Sequence, residues 1–117
     1  MQQGRVVAVL GSPGGDSIPS TVVQVSRHLI DHGMTVDTAV EAARVHQGLI
    51  PDELRYERDR PLGATPLQGL VGRGHRVRAV AAPIGAANNI VIVSDVAYGH
   101  ADSREGGLAL GPERAPP

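Results

Sequence analysis

The sequence predicts an α/β fold, an α+β layered arrangement of short strands and amphipathic helices, and three observations carry that prediction. The β-branched run Val6-Val7-Ala8-Val9-Leu10 reads as a buried strand. Ile18, Val22, Val25 and Leu29 recur at helical spacing and line one face. Between them stands Gly11-Ser12-Pro13-Gly14-Gly15, a glycine-rich junction of the kind a tight strand-to-helix turn requires.

Taken in order, the first strand covers about Arg5 to Leu10. A helix runs from about Ile18 to His32, with Asp16 or Ser17 available as cap, Pro19 tolerable in the first turn, and Gly33 as its stop. A second helix starts at Asp37 or Thr38, where Thr38 and Glu41 have capping-box spacing, and carries Val40 and Ala43 toward His46. Pro51 to Glu57 is irregular with some strand character, and Arg60 to Ala64 is a loop. Thr65-Pro66 opens a third helix through Leu67, Leu70 and Val71, weakened by Gly69 and Gly72 and ended at Gly74. Strands follow at Arg76 to Val80, Asn89 to Val93 and Val96 to His100; Ser94-Asp95 makes the last two a hairpin without the glycine such turns prefer. The tail, residues 112–117, is expected to be disordered.

With 117 residues, 41% of them hydrophobic, the chain is one domain at most, and neither Phe nor Trp is present to fill its core. Val, Ile, Leu and Ala must form that core, which is thin for a free-standing domain. A net charge of -1, with no lysine and scattered arginines, argues against nucleic-acid binding. The absence of cysteine excludes disulfides, thiolate metal sites and Cys nucleophiles. No segment approaches the roughly 18–20 apolar residues of a membrane helix, and no signal peptide is visible, so no membrane partner is expected and the compartment stays open. No cofactor motif is present.

The glycine junction is the strongest chemical feature. Bare backbone N–H groups at a strand-to-helix turn suit either a bound phosphate or the oxyanion of acyl transfer. A phosphate loop needs a Lys and a Ser or Thr after its last glycine, but Asp16 and Ser17 stand there, and GxGxxG also fails. The carboxylate of Asp16 further disfavours phosphate. A turn that merely reverses the chain remains the other reading of these residues alone.

Six collinear segments resemble the gamma-glutamyltransferase family: GSPGGDSIPSTVVQV, DHGMTVDTAVEAARVH, PDELRYE, GHRV, PIGAANNI and HADSREGG. The resemblance is to the C-terminal part of the small subunit and spans residues 1–111. It implies half of an αββα sandwich of the N-terminal-nucleophile hydrolase type, in which a precursor cuts itself and the new N-terminal Thr attacks a gamma-glutamyl amide. It also implies that the N–H groups of Gly14 and Gly15 form the oxyanion hole. The implied partners are the remainder of the small subunit and the large subunit, or a second copy through an open sheet edge; the implied substrate is a gamma-glutamyl compound such as glutathione. Family members are often periplasmic or extracellular. A related acylase of the cephalosporin-acylase type, or a non-catalytic truncated or complementing module, are the alternatives.

The chain begins Met1-Gln2-Gln3-Gly4, and Thr21, Thr35, Thr38 and Thr65 are internal, so the nucleophile is expected from another segment and the chain alone should not turn over. By the same reading, the first strand should lack a sheet neighbour and the isolated chain should be molten or oligomeric.

Other residues read as structural. His28 and His32 have zinc-pair spacing without the HExxH glutamate and fit a solvated helix face. Asp52 and Glu53 are adjacent on an extended segment and point apart, which disfavours an acid/base pair. His75 is expected to begin a strand. Ala43 and Gln47 depart from the resembling segment's proline and second histidine; Arg44 and His46 are expected to pair with neighbouring elements. Asp102 and Arg104 form an expected ion pair in a segment that resembles the family's Asp-Pro-Arg, where the resemblance implies a proline in place of Ser103 and a looser turn without it.

Overall fold

A computed structural model describes residues 2–111. Among the described residues there are two three-stranded sheets, three α-helices and a 3-10 turn. In the first sheet the order is β1 (Ala8–Val9), β5 (Asn88–Val93), β6 (Val96–Ala101), all antiparallel. In the second it is β2 (Val45–Gln47), β3 (Leu54–Glu57), β4 (Val77–Val80), with β2 antiparallel and β4 parallel to β3. The parallel pair is joined through α3 (Ala64–Gly72), as a parallel connection demands.

β1 is shorter than the apolar run predicts, and it does have a sheet neighbour, contrary to expectation. Ala8 pairs with Val91 and Val9 with Ile90. Ile92 N–H donates to Val7 O at 2.8 Å and Asn88 N–H to Gly11 O at 3.0 Å, so the ladder extends to both sides of the named strand. The Asn89 side-chain oxygen accepts the Gly11 N–H at 2.9 Å, which anchors the start of the glycine loop. Only one edge of β1 is paired, and Val6 and Val9 remain about half exposed.

α1 (Ile18–Ile30) follows a 3-10 turn at Gly15–Ser17. Pro19 sits in its first turn, and Met34 N–H closes onto His28 O at 3.0 Å over the left-handed Gly33. α2 is only Val36–Glu41, capped at Thr35 rather than at Asp37 or Thr38. Val45 and His46, toward which the second helix was expected to run, lie in β2 instead. The Gln24 side chain takes both backbone groups of Val45, accepting its N–H at 3.0 Å and donating to its O at 2.8 Å. A carboxamide from α1 thereby replaces the helical partners that Val45 would have used. Leu54–Glu57 takes the strand that was one reading of residues 51–57, because it lies between two partners. The Ser94-Asp95 hairpin forms as expected, with both residues at positive φ (49° and 65°). His75 lies two residues ahead of β4. The tail at 112–117 lies outside the described residues.

The core is small and aliphatic, as composition requires. Val25 of α1, Val36, Ala39 and Val40 of α2, and Ala87 beside β5 form it, with Leu29 and Val91 packed against it. α3 buries no residue fully. No helix among the described residues is long and apolar enough to cross a membrane.

Candidate functional site

The loop between β1 and α1 is held in a conformation that only glycine accepts easily. Gly14 has φ +134° and Gly15 φ +58°. A Cβ on Gly14 would fall 2.6 Å from Ser17 Oγ and 3.1 Å from the Cα of Gly85. At Gly15 the space is open, so only backbone strain opposes a side chain there. Ser17 caps the loop from within: its N–H and its hydroxyl both donate to Gly14 O, at 3.1 and 2.8 Å. Among the described residues neither the Gly14 N–H nor the Gly15 N–H donates a hydrogen bond inside the chain, and both glycines are exposed. Two unused donors therefore belong to exposed glycines at a strand-to-helix turn. Such groups favour an anion by dipole and hydrogen bond together.

A polar chain borders the loop. Ser20 Oγ lies 2.8 Å from Nδ1 of the buried His46, whose Nε2 lies 3.3 Å from Asp16 Oδ2; Arg55 reaches the same oxygen at 3.4 Å. His46 thus joins α1 to β2, as expected of a structural residue. Beside the loop opens a cavity of about 160 Å³ lined by Gly14, Asp16, Ser17, His46, Arg55 and Ile84 among others. Small-molecule sites usually need roughly 300–1,000 Å³, so these residues form one wall rather than an enclosing pocket. A groove of about 720 Å³ along β1, bordered by Leu29, Ile30 and Val91, shares no residue with the glycine loop.

Behind the site lies a buried four-charge network that sequence reasoning saw only in part. Arg104 grips Glu57 through Nε and through Nη2 at 2.7 Å, and reaches Asp102 Oδ1 at 3.1 Å. Arg44 meets Asp102 Oδ2 at 2.8 Å. Two cations and two anions balance, which is the condition for burying charge at tolerable cost. Burial pulls the Arg44 guanidinium down, as does the Arg104 charge. Burial opposes ionisation of Asp102, but the N–H groups of Arg104 and Ala87 and the two guanidiniums outweigh it and hold its carboxyl low. The Asp102–Arg104 pair is present as expected. Glu57 was not singled out; its place in PDELRYE was the available signal.

Ser103 ties its turn to α2. Its N–H donates to Glu41 Oε1 at 3.0 Å and its hydroxyl to Glu41 Oε2 at 2.6 Å. Burial opposes ionisation of Glu41, yet Ser103, His100 at 2.9 Å and Arg60 at 3.0 Å bring its carboxyl down to about 2. Asp52 and Glu53 diverge as expected, the former to Gln47 and the latter to Arg78. The His28 and His32 rings lie 5.8 Å apart between centroids, tilted at 43° to each other. His28 is half-buried rather than fully solvated, and burial, then His32 and Arg44, lower its pKa. Among the described residues no group of three or more His, Cys, Asp or Glu could hold a metal ion.

Comparison with known proteins gives this geometry a context. Gamma-glutamyltranspeptidase from Pseudomonas nitroreducens, solved with L-DON, superposes with a TM-score of 0.87 at 27% identity, over 97% of this chain and 59% of that one. A cephalosporin acylase from Bacillus halodurans superposes at 0.71 with 26% identity, over 81% of this chain and 18% of that one. The class is therefore the N-terminal-nucleophile hydrolase fold, of which these mixed helices and two small sheets are a part. The gamma-glutamyltranspeptidase family model matches residues 1–111, and the glutathione hydrolase proenzyme of Escherichia coli K12 is 36% identical over 107 residues. The chain belongs to the gamma-glutamyltranspeptidase family. It spans 18% of the E. coli protein's length, while that match covers 89% of this chain.

Proposed function

We propose that residues 1–111 are the C-terminal part of a gamma-glutamyltransferase small subunit, serving transfer or hydrolysis of gamma-glutamyl groups from glutathione-like substrates. In this reading the Gly14 and Gly15 N–H groups are the oxyanion hole. The nucleophilic Thr comes from a segment outside these residues, with its own α-amine as base. Attack of the Thr oxygen on the γ-carbonyl carbon makes a tetrahedral centre bearing O⁻, and the amine takes the hydroxyl proton. The two glycine N–H groups, already free and oriented by the loop, stabilise that charge without reorganising. Collapse expels the leaving amine, which takes the proton. Water or an acceptor amine then resolves the acyl-enzyme through the same oxyanion. One such donor supplies a few kcal/mol of barrier reduction.

The observation that carries this reading is the pair of unpartnered, exposed N–H groups on a loop whose Gly14 tolerates no Cβ. Supplying the chain with the Thr-led remainder of the small subunit, the large subunit and a chromogenic gamma-glutamyl anilide tests it. Turnover is expected only in the combination, and Gly14→Ala should lower kcat on the order of 10²-fold or more. Gly15→Ala, which meets only backbone strain, should cost less. Turnover by the chain alone, or an unchanged kcat in Gly14→Ala, overturns the assignment. The likeness to the cephalosporin acylase favours a second reading, an acylase on the same scaffold; preference for a cephalosporin side-chain amide over the gamma-glutamyl anilide selects it. Failure of every combination on both substrates selects a non-catalytic module.

A further inference from the structure

The strap at residues 83–88 runs against the glycine loop, and its own glycine makes the contact. Gly85 has φ +67°, and a Cβ there would fall 2.4 Å from Thr21 Oγ1 and 2.7 Å from Ser12 Oγ. Across the contact, a Cβ on Gly14 would lie 3.1 Å from the Gly85 Cα. The two backbones approach this closely only because neither carries a side chain. Ser12 links the pair: its Oγ accepts the Ala86 N–H at 3.0 Å and donates to Pro13 O at 2.6 Å. Thr21, fully buried in the first turn of α1, donates to Ile84 O at 3.4 Å.

On its other side the strap is tied to the buried charges. Ile84 N–H donates to Glu57 Oε1 at 3.0 Å, Arg44 Nη1 to Ile84 O at 3.1 Å, and Ala87 N–H to Asp102 Oδ2 at 2.7 Å. Ile84, Ala86 and Ala87 are all buried, whereas Gly14 and Gly15 are exposed. The strap is thus anchored to the buried charges, and the exposed glycine loop is held against it.

We propose that Gly85 and Ser12 are positioning residues that set where the Gly14 and Gly15 N–H groups point. Their catalytic consequence rests on the oxyanion reading above; the positioning itself does not. A methyl at residue 85 displaces the Ser12 and Thr21 oxygens and pushes the loop outward. Loss of the Ser12 hydroxyl removes the tie to the strap without adding bulk.

Amide NMR of the full 117-residue chain tests this directly. In both Gly85→Ala and Ser12→Ala the Gly14 and Gly15 amide resonances should move, while those of the β5–β6 hairpin stay in place. Gly33→Ala, another left-handed position with open space around it, should strain the backbone without moving the loop resonances. If Gly85→Ala fails to fold, Ser12→Ala decides. Unmoved loop resonances in a folded variant, or loss of the whole spectrum in both variants, overturns the proposal. In an enzyme assembled with the Thr-led remainder and the large subunit, Ser12→Ala should lower kcat by tenfold or more with KM within about twofold, since small misplacement of a catalytic group costs up to 10²-fold. Moved resonances with unchanged kcat would leave the positioning intact and overturn the oxyanion reading instead.

Discussion

Ser103 shows how a turn residue can hold a carboxylate that a proline in its place could not. A proline there has neither the N–H nor the hydroxyl that Ser103 directs at Glu41. Glu41 in turn has its pKa brought to about 2 from an ordinary 4.5, so its stabilising effect is complete above pH 4.5 and is lost as pH falls toward 2. Asp102, also held low, acts in the same direction. Ser103→Pro should therefore raise the Glu41 pKa and flatten the acid limb of stability between about pH 5 and 2, read by urea denaturation across pH. An unchanged acid limb would deny Ser103 that role. Asp102→Ala poses a harsher case, since it strands Arg44 and weakens the hold on Arg104. Breaking a buried pair this way costs about 3–5 kcal/mol, and a loss below about 1 kcal/mol in urea unfolding would contradict the network's importance.

Between residues and fold, the elements differ in how much of them local pattern specified. α1 was readable because four apolar residues repeat at helical spacing and Pro19 and Gly33 mark its ends. α2 was readable in its presence but not in its length, because its stop comes from elsewhere: Gln24 captures Val45, and Arg44 turns inward to Asp102. The hairpin was legible despite poor turn chemistry, since pairing of β5 with β6 holds Ser94 and Asp95 in a left-handed conformation that favours glycine. Ser94→Gly should stabilise the chain by about 0.5 kcal/mol, the relief of strain less the added unfolded-state entropy. A lower melting temperature in that variant would show that the turn is unstrained.

For the whole molecule, the accessible surface of 8039 Å² compares with about 6,100 Å² for a compact protein of this mass. Val6, Val9, Val93, Val96 and Tyr98, on or flanking the β1–β5–β6 sheet, are about half exposed. A free edge on β1 beside such a surface invites association. The isolated chain should elute as a folded oligomer, read by light scattering. A monomer would show that the free β1 edge does not associate.

The sequence by itself determined the strand–glycine loop–helix unit, the aliphatic core and the family, because each rests on local spacing or on collinear motifs. Gly14 and Gly15 were legible as candidates for the same reason. Only the tertiary structure decided what supports them. Gly85 meets Gly14, Ser12 meets Ala86, and Glu57 and Asp102 hold the strap across separations of 15 to 74 residues. Contacts of that range leave no periodicity in the chain; they arise where folding brings two side-chain-free backbones together and requires buried charges to balance.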